Sequence, residues 1–180
     1  MEVKITPIQG LLIIKPNVFT DERGYFFESY SEKLFKQYGI EGNFVQDNQS
    51  LSQKNALRGL HFQSPPYEQG KLVRVIKGAV LDVVVDIRKD SPTYGQHFSC
   101  ELSDHNFLML WVPPGFAHGF ATLQNDTIFV YKCTNQYHKG AEGGIRWNDP
   151  DLKIDWEISD PIVSDKDQKL SLFNNFDSPF

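Results

Sequence analysis

Lys71-Leu72-Val73-Arg74-Val75-Ile76-Lys77-Gly78-Ala79-Val80-Leu81-Asp82-Val83-Val84-Val85-Asp86-Ile87 is the stretch that decides the fold. Two runs rich in β-branched residues, Leu72 to Ile76 and Ala79 to Ile87, flank a Lys-Gly pair, which is the pattern of two strands meeting at a turn. Read as a two-residue hairpin, Lys77-Gly78 pairs Val73 with Asp82 and Lys71 with Val84. Lys71 and Asp82 then lie diagonally on one face, within reach of each other. Such a pair is either a surface ion pair or one held dry in a barrel lumen. The apolar run around Asp82 favours the second, because a charge inside an apolar strand needs a partner or a task.

The same punctuation recurs along the chain. Gln9-Gly10, Arg23-Gly24, Pro113-Pro114-Gly115, Gln124-Asn125-Asp126 and Gly143-Gly144 mark turns, with β-rich runs between them. Strands are predicted at Leu11 to Lys15, Gly24 to Glu28, Leu57 to Gln63, Phe107 to Val112, Gly119 to Leu123 and Ile128 to Cys133, beside the two already quoted. The fold class is therefore all-β, a sandwich or a barrel. One helix is expected: Ser29 and Glu32 form a capping box, Leu34 and Phe35 an apolar side, and Gly39 a stop.

With 180 residues and 20.7 kDa the chain makes one domain, residues 1–180, with a full core. Eighteen Lys plus Arg against 23 Asp plus Glu give a net charge of −5, so nothing global draws the chain to nucleic acid or to an anionic membrane. Cys100 and Cys133 form no Cys-x-x-Cys motif, which argues against a disulfide scaffold or zinc ribbon and fits a reducing cytoplasm. No apolar run reaches the ~18 residues of a membrane helix. A soluble cytoplasmic protein is expected.

Histidines and tyrosines carry the candidate chemistry. His61 lies in the strand-like Leu57-Arg58-Gly59-Leu60-His61-Phe62-Gln63, and a neutral imidazole is matched to general-base work near pH 7, although a strand histidine is also an ordinary core residue. His118 follows the turn at Pro113-Pro114-Gly115 and either faces a cavity or caps that turn. Tyr131 and Tyr137 are phenols able to donate a proton or stack on a flat ring, or else plain core aromatics. A metal site in a small β-barrel calls for more than this. Position 63, two after His61, is Gln63, so no His-x-His pair exists, and His61 with His118 alone lacks the ligand count. No metal is expected.

Phe44-Val45-Gln46-Asp47-Asn48-Gln49-Ser50, Leu57 to Gln63, Lys71, Asp86-Ile87-Arg88 with Ser91-Pro92-Thr93-Tyr94-Gly95, Pro113 to Phe120, Tyr131-Lys132, Gly144 to Pro150 and Ser164-Asp165-Lys166-Asp167 follow one another along the chain. Together these motifs, within a match that runs in order from Asp21 to Asp167, resemble the dTDP-4-dehydrorhamnose 3,5-epimerase family. The resemblance implies a cupin-like jelly roll and a homodimer with exchanged N-terminal strands. It also implies an isomerase that needs no cofactor and epimerises a dTDP-4-keto-6-deoxy sugar at C3 and C5 on the way to dTDP-L-rhamnose. By the same resemblance His61 is the base, Asp167 its orienting carboxylate, Lys71 the cation beside the enolate and Tyr131 the acid; the diagonal pairing at the hairpin assigns Asp82 to hold Lys71. Arg23, Phe26 and Glu28 are implied to reach the thymidine, in their own subunit or across the dimer, and Tyr137 to stack on thymine. Gln46, Asn48 and Arg58 fall around diphosphate and base, His118 on the sugar, and Glu142 and Lys166 at the periphery.

Two points stay open at this level. Strict alternation sends Arg58 and His61 to opposite faces, so both line one pocket only if the strand bulges or twists at Gly59. The tail from Gln168 to Phe180 matches no motif and is either a cover or loose. Neighbouring functions also remain in view: a dTDP-sugar 3- or 5-monoepimerase, a ketoisomerase, or a non-catalytic sugar-nucleotide-binding module. The last of these has no need for His61, Asp167, Lys71 and Tyr131 together.

Overall fold

Alternating apolar residues give most strands two different faces, and the chain covers the inner ones by stacking one sheet on another. A computed structural model describes residues 1–180. Its strands are β1 (Glu2–Ile5), β2 (Leu12–Lys15), β3 (Phe19–Asp21), β4 (Gly24–Phe26), β5 (Gln46–Ser52), β6 (Ala56–Gln63), β7 (Lys71–Lys77), β8 (Ala79–Asp86), β9 (His97–Ser103), β10 (Met109–Val112), β11 (Phe116–Thr122), β12 (Thr127–Cys133), β13 (Glu142–Gly144) and β14 (Ile162–Val163). Two short helices are α1 (Glu32–Lys36) and α2 (Asp165–Gln168). One sheet runs β1-β2-β10-β7-β12-β5 and the other β13-β6-β11-β8-β9, with β14 added parallel to β6. The all-β class is as expected, and the antiparallel double sheet is a cupin-like jelly roll.

Between the sheets lies a core that includes Val73, Val75, Val80, Val84, Leu110, Phe120 and Phe129. Phe129 is 1% exposed and stacks on Phe120 with centroids 4.2 Å apart, so truncating it to alanine should cost about 3–5 kcal/mol. The outer face of the second sheet buries Leu57, Leu60, Phe62, Leu81, Val83 and Val85 under the segment that follows β13. Phe173, Phe176 and Phe180 belong to that cover, and the buried Ser178 hydroxyl donates to the Ile87 carbonyl. The C-terminal tail is thus a packed lid over this face.

The hairpin expected at Lys77-Gly78 does not form. Every residue of β8 is buried, so this strand needs sheet neighbours on both edges and cover on both faces; it takes β11 and β9 as neighbours. β7 pairs instead with β10 and β12 in the other sheet. Lys77-Gly78 is therefore a crossing between sheets, where Asp104 Oδ2 accepts the Gly78 N–H at 2.8 Å. The pairings of Val73 with Asp82 and Lys71 with Val84 are corrected accordingly. The helix also starts later than the Ser29 capping box places it. Ser31 is its N-cap, without a side-chain bond, and Glu32 pairs with Lys36 at 2.6 Å. Gly39 ends it as expected, at φ +74°.

Candidate active site

His61 and His118 are register partners on adjacent β6 and β11, and the fold gives each its own carboxylate. What brings Arg58 to the same cavity is an irregularity in β6. His61 pairs with His118 and Arg58 with Phe120, so three steps on one strand face two on the other. The extra residue is accommodated at Gly59, whose φ is +126° and whose missing side chain would lie 2.5 Å from Gly119 Cα. This is the bulge that strict alternation required.

A cavity of about 620 Å³ opens here between the sheets. Arg58, His61 and His118 line it from the second sheet, Lys71, Tyr131 and Asn48 from the first, and Lys166 and Asp167 from α2. Asp167 is placed by its own helix start: Ser164 is the N-cap and its Oγ accepts the Asp167 N–H at 3.2 Å. Asp167 Oδ1 then sits 2.7 Å from His61 Nε2, and Oδ2 accepts the Gly59 N–H at 3.3 Å. The imidazole is 29% exposed and the carboxylate 5%, so the ring faces the cavity and the acid backs it. Burial by itself raises the Asp167 carboxyl, but the hydrogen bond and charge of His61, the Gly59 N–H and Lys166 outweigh it and hold the group below its ordinary value. An ionised carboxylate only accepts, so His61 Nε2 carries a hydrogen, and in the neutral imidazole the lone pair lies on Nδ1.

A second pair lies beside the first. His118 Nε2 is 2.9 and 3.0 Å from the two oxygens of Asp82, which points inward from β8 with Val80 and Val84 and is fully buried. Asp82 is therefore bonded to His118 and not to Lys71, which corrects the role expected from the hairpin. Lys71 still feels Asp82 across the sandwich. Burial pushes its ammonium below the usual value, against the pull of Cys133, Asp82 and Glu142. Burial likewise raises Asp82, opposed by His118 and then Lys71. Tyr131 lies next to Lys71, whose Nζ is 6.0 Å from the ring centroid, and burial raises its phenol while Arg58 opposes.

Of the other expected binding residues, Asn48 and Lys166 line the cavity, whereas Gln46, Tyr137 and Glu142 do not and form a chain that links those two. Gln46 Nε2 donates to Asn48 Oδ1 at 3.0 Å, and Gln46 Oε1 accepts the Tyr137 N–H at 2.8 Å. Tyr137 donates its hydroxyl to Glu142 at 2.9 Å, and Glu142 pairs with Lys166 at 2.5 Å. Arg23, Phe26 and Glu28 are not brought to this cavity. All three are exposed; Arg23 and Phe26 border a separate groove on the β3–β4 ribbon, where Arg23 pairs with Asp21 at 2.5 Å. Sequence reasoning missed Ser52, whose buried Oγ accepts from Arg58 Nε and Nη2 at 3.3 Å each, and Ser50, a cavity-lining hydroxyl with no partner. It also left Ser164 unread as a cap, although Ser164-x-x-Asp167 is a capping pattern. Both cysteines are free, Cys133 being buried next to Asn48. No helix is long and apolar enough to cross a membrane.

A histidine backed by a carboxylate, facing a lysine and a tyrosine across a cupin-like scaffold, is the set of groups that acid–base isomerisation requires. The sequence profile of dTDP-4-dehydrorhamnose 3,5-epimerase matches residues 5–175. The dTDP-4-dehydrorhamnose 3,5-epimerase of Salmonella typhimurium is 52% identical over 171 residues, covering 94% of this chain and 93% of that protein. A crystal structure of a Legionella pneumophila dTDP-6-deoxy-D-glucose-3,5-epimerase in complex with dTDP-4-keto-L-rhamnose superposes with a TM-score of 0.94 at 47% identity, covering 98% and 94% of the two chains. A 3'-monoepimerase of Streptomyces bikiniensis, solved with dTDP-quinovose, is also similar, with a TM-score of 0.88 at 31% identity over 93% and 85%. The chain belongs to the dTDP-4-dehydrorhamnose 3,5-epimerase family.

Proposed function

We infer that this chain epimerises C3 and C5 of dTDP-4-dehydro-6-deoxy-D-glucose, giving dTDP-4-dehydro-L-rhamnose. The observation that carries this reading is the His61–Asp167 pair facing Lys71 and Tyr131 across one cavity, in a chain of this family. The hydrogens at C3 and C5 are both alpha to the C4 ketone, so removal of either leaves an enolate with its charge on the C4 oxygen. No redox step is needed. His61 Nδ1 takes the proton, and the Asp167 carboxylate stabilises the imidazolium that results. Enolate charge beside Lys71 favours the protonated ammonium that burial opposes, so the attraction grows as the transition state forms. Tyr131, a phenol that is protonated at neutral pH and that burial raises further, returns a proton from the other face. Arg58, with its donors set by Ser52, suits diphosphate oxygens, and His118 faces the sugar.

The nucleotide half extends to a second subunit in this reading. Arg23, Phe26 and Glu28 sit on an exposed N-terminal ribbon outside their own cavity, with Phe26 70% and Phe19 64% exposed, and edge residue Ile5 is 83% exposed. Exchange of N-terminal strands in a homodimer covers these apolar groups and carries Arg23 and Phe26 to the partner's mouth, where Phe26 and Tyr137 sandwich the thymine. The test is incubation with the 4-keto sugar nucleotide in deuterated water. Deuterium at both C3 and C5 of an inverted product supports the inference. Label at one carbon alone marks a monoepimerase, and no label marks a binding module; either sinks it.

A further inference from the structure

Gln63 stands two residues beyond His61 and takes no part in the cavity wall, yet it is 4% exposed and every hydrogen-bonding group of its amide is used. Oε1 accepts the His138 N–H at 2.7 Å, and Nε2 donates to the Tyr67 carbonyl at 2.6 Å and the Gln136 carbonyl at 3.2 Å. One side chain thus ties the loop after β6 to the loop after β12. The second loop has no strand ladder for its backbone, and side-chain amides supply the missing partners. Gln69 Nε2 donates to the Asn135 carbonyl at 2.7 Å, Gln46 accepts at Tyr137, and Gln63 holds the residues on either side of Tyr137. Tyr67 and His138 add a parallel stack, 3.8 Å between centroids and 5° apart.

We propose that Gln63 is a positioning residue for the nucleotide: it fixes the backbone on both sides of Tyr137 and so presents that ring, with Glu142 behind its hydroxyl, as a preformed platform for the base. The proposal rests on the reading of Tyr137 as the thymine-stacking residue. Gln63 acts through Tyr137 and touches no substrate, so its loss should fall on binding and spare the chemical step. Removing the amide takes the partner from one N–H and two carbonyls and frees the loop to move, and about 1.4 kcal/mol lost from the bound state is a tenfold change in affinity.

The experiment compares wild type, Gln63→Leu and Gln69→Ala by calorimetry with dTDP, by steady-state kinetics, and by amide hydrogen exchange of residues 134–138. For Gln63→Leu the expected result is faster exchange in that loop, Kd and KM raised about tenfold, and kcat within about twofold of wild type. Gln69→Ala, a milder change at a half-buried site, should move Kd in the same direction and decides the matter alone if Gln63→Leu does not fold. Unchanged loop exchange, or an unchanged Kd with a lowered kcat, overturns the proposal. A wild-type protein that does not bind dTDP overturns the nucleotide reading itself, and the proposal with it.

Discussion

Replacing Asp167 by Asn removes one negative charge behind His61 while keeping the shape of the site. The carboxylate now serves two donors, His61 Nε2 at 2.7 Å and the Gly59 N–H at 3.3 Å. An amide has a single acceptor oxygen. If that oxygen faces His61, the Asn NH₂ is driven against the Gly59 N–H, donor to donor. If it faces Gly59, the NH₂ donates to His61 Nε2, and both bonds are kept. Hydrogen-bond count selects the second orientation, which puts the imidazole proton on Nδ1 and removes the lone pair from the cavity. Loss of charge alone would cost about 1–1.5 kcal/mol, the difference between a charged and a neutral hydrogen bond. Reversal of the tautomer costs far more; the same change in serine-protease triads lowers kcat by about 10⁴. We therefore expect solvent exchange at C3 and C5 to fall by about a thousandfold or more at saturating substrate, with dTDP affinity unchanged. Deuterium incorporation followed by mass spectrometry, alongside calorimetry with dTDP, checks both halves. An Asp167→Asn enzyme within about fivefold of wild type would refute the reasoning, since the carboxylate would then be no more than a helix-start and Gly59 contact.

Tyr131→Phe keeps the base but loses the opposite-face proton, so deuterium should enter at C3 or C5 with little epimer formed; epimerisation at the wild-type rate would remove Tyr131 as the acid. Lys71→Met should lower kcat with little change in KM, whereas Arg58→Ala should chiefly raise KM and dTDP Kd, and the opposite split would mean the two roles are exchanged. Mixing inactive His61→Ala and Arg23→Ala subunits should restore activity if the ribbon serves the partner's cavity, because one hybrid site then holds both native residues; no recovery after verified subunit exchange places Arg23 elsewhere. Asp86 is held at about 2, against an ordinary 3.8, by hydrogen bonds from Arg88, Ser91 and Thr93 that outweigh its burial. A depressed carboxyl stabilises the fold fully above about pH 4 and loses that contribution as pH falls toward 2. Tm measured from pH 5 to pH 2 should therefore decline less steeply in Asp86→Asn, which starts from a lower Tm at neutral pH, and an unchanged slope would contradict the assignment.

Strands with an apolar face were legible in the sequence, and β2, β6, β7, β8, β10 and β12 fall within about two residues of their expected positions. β5 was not, because Gln46, Asn48, Ser50 and Ser52 turn a polar face to the site while Asp47, Gln49 and Leu51 face outward, leaving no apolar alternation to read. The Lys-Gly pair misled for a related reason: local turn chemistry says that a chain reverses but not which sheet the next strand joins. Burial on both faces of β8, which decided that, is a property of the whole molecule. His61 and Asp167 are 106 residues apart, so their contact is invisible to any local pattern and came from the family resemblance alone. The Gly59 bulge stood between, foreseeable as a requirement though not as a fact. The tail stayed open between a cover and a loose end because Phe173, Phe176 and Phe180 cover a sheet face with no strand or helix period of their own.

Inversion at carbon demands that a proton leave one face of a flat enolate and another arrive at the opposite face, and a two-layer fold meets that demand by construction. His61 and His118 project from adjacent strands of one sheet, and Lys71 and Tyr131 from adjacent strands of the other. In the proposed mechanism a sugar ring lying between the layers meets His61 on one side and Tyr131 on the other. The carboxylates follow the same division: Asp167 and Asp82 both stand with the histidines, so negative charge gathers behind the two imidazoles. On the opposing sheet Lys71 has no hydrogen-bonded counter-ion and feels Asp82 only at a distance, which leaves its charge free to answer the enolate oxygen. A carboxylate bonded directly to Lys71 would satisfy the ammonium in the ground state and so weaken its discrimination for the transition state. The transfer of Asp82 from Lys71 to His118 is therefore more than a corrected register. In the proposed mechanism it leaves the lysine's interaction in reserve for the intermediate.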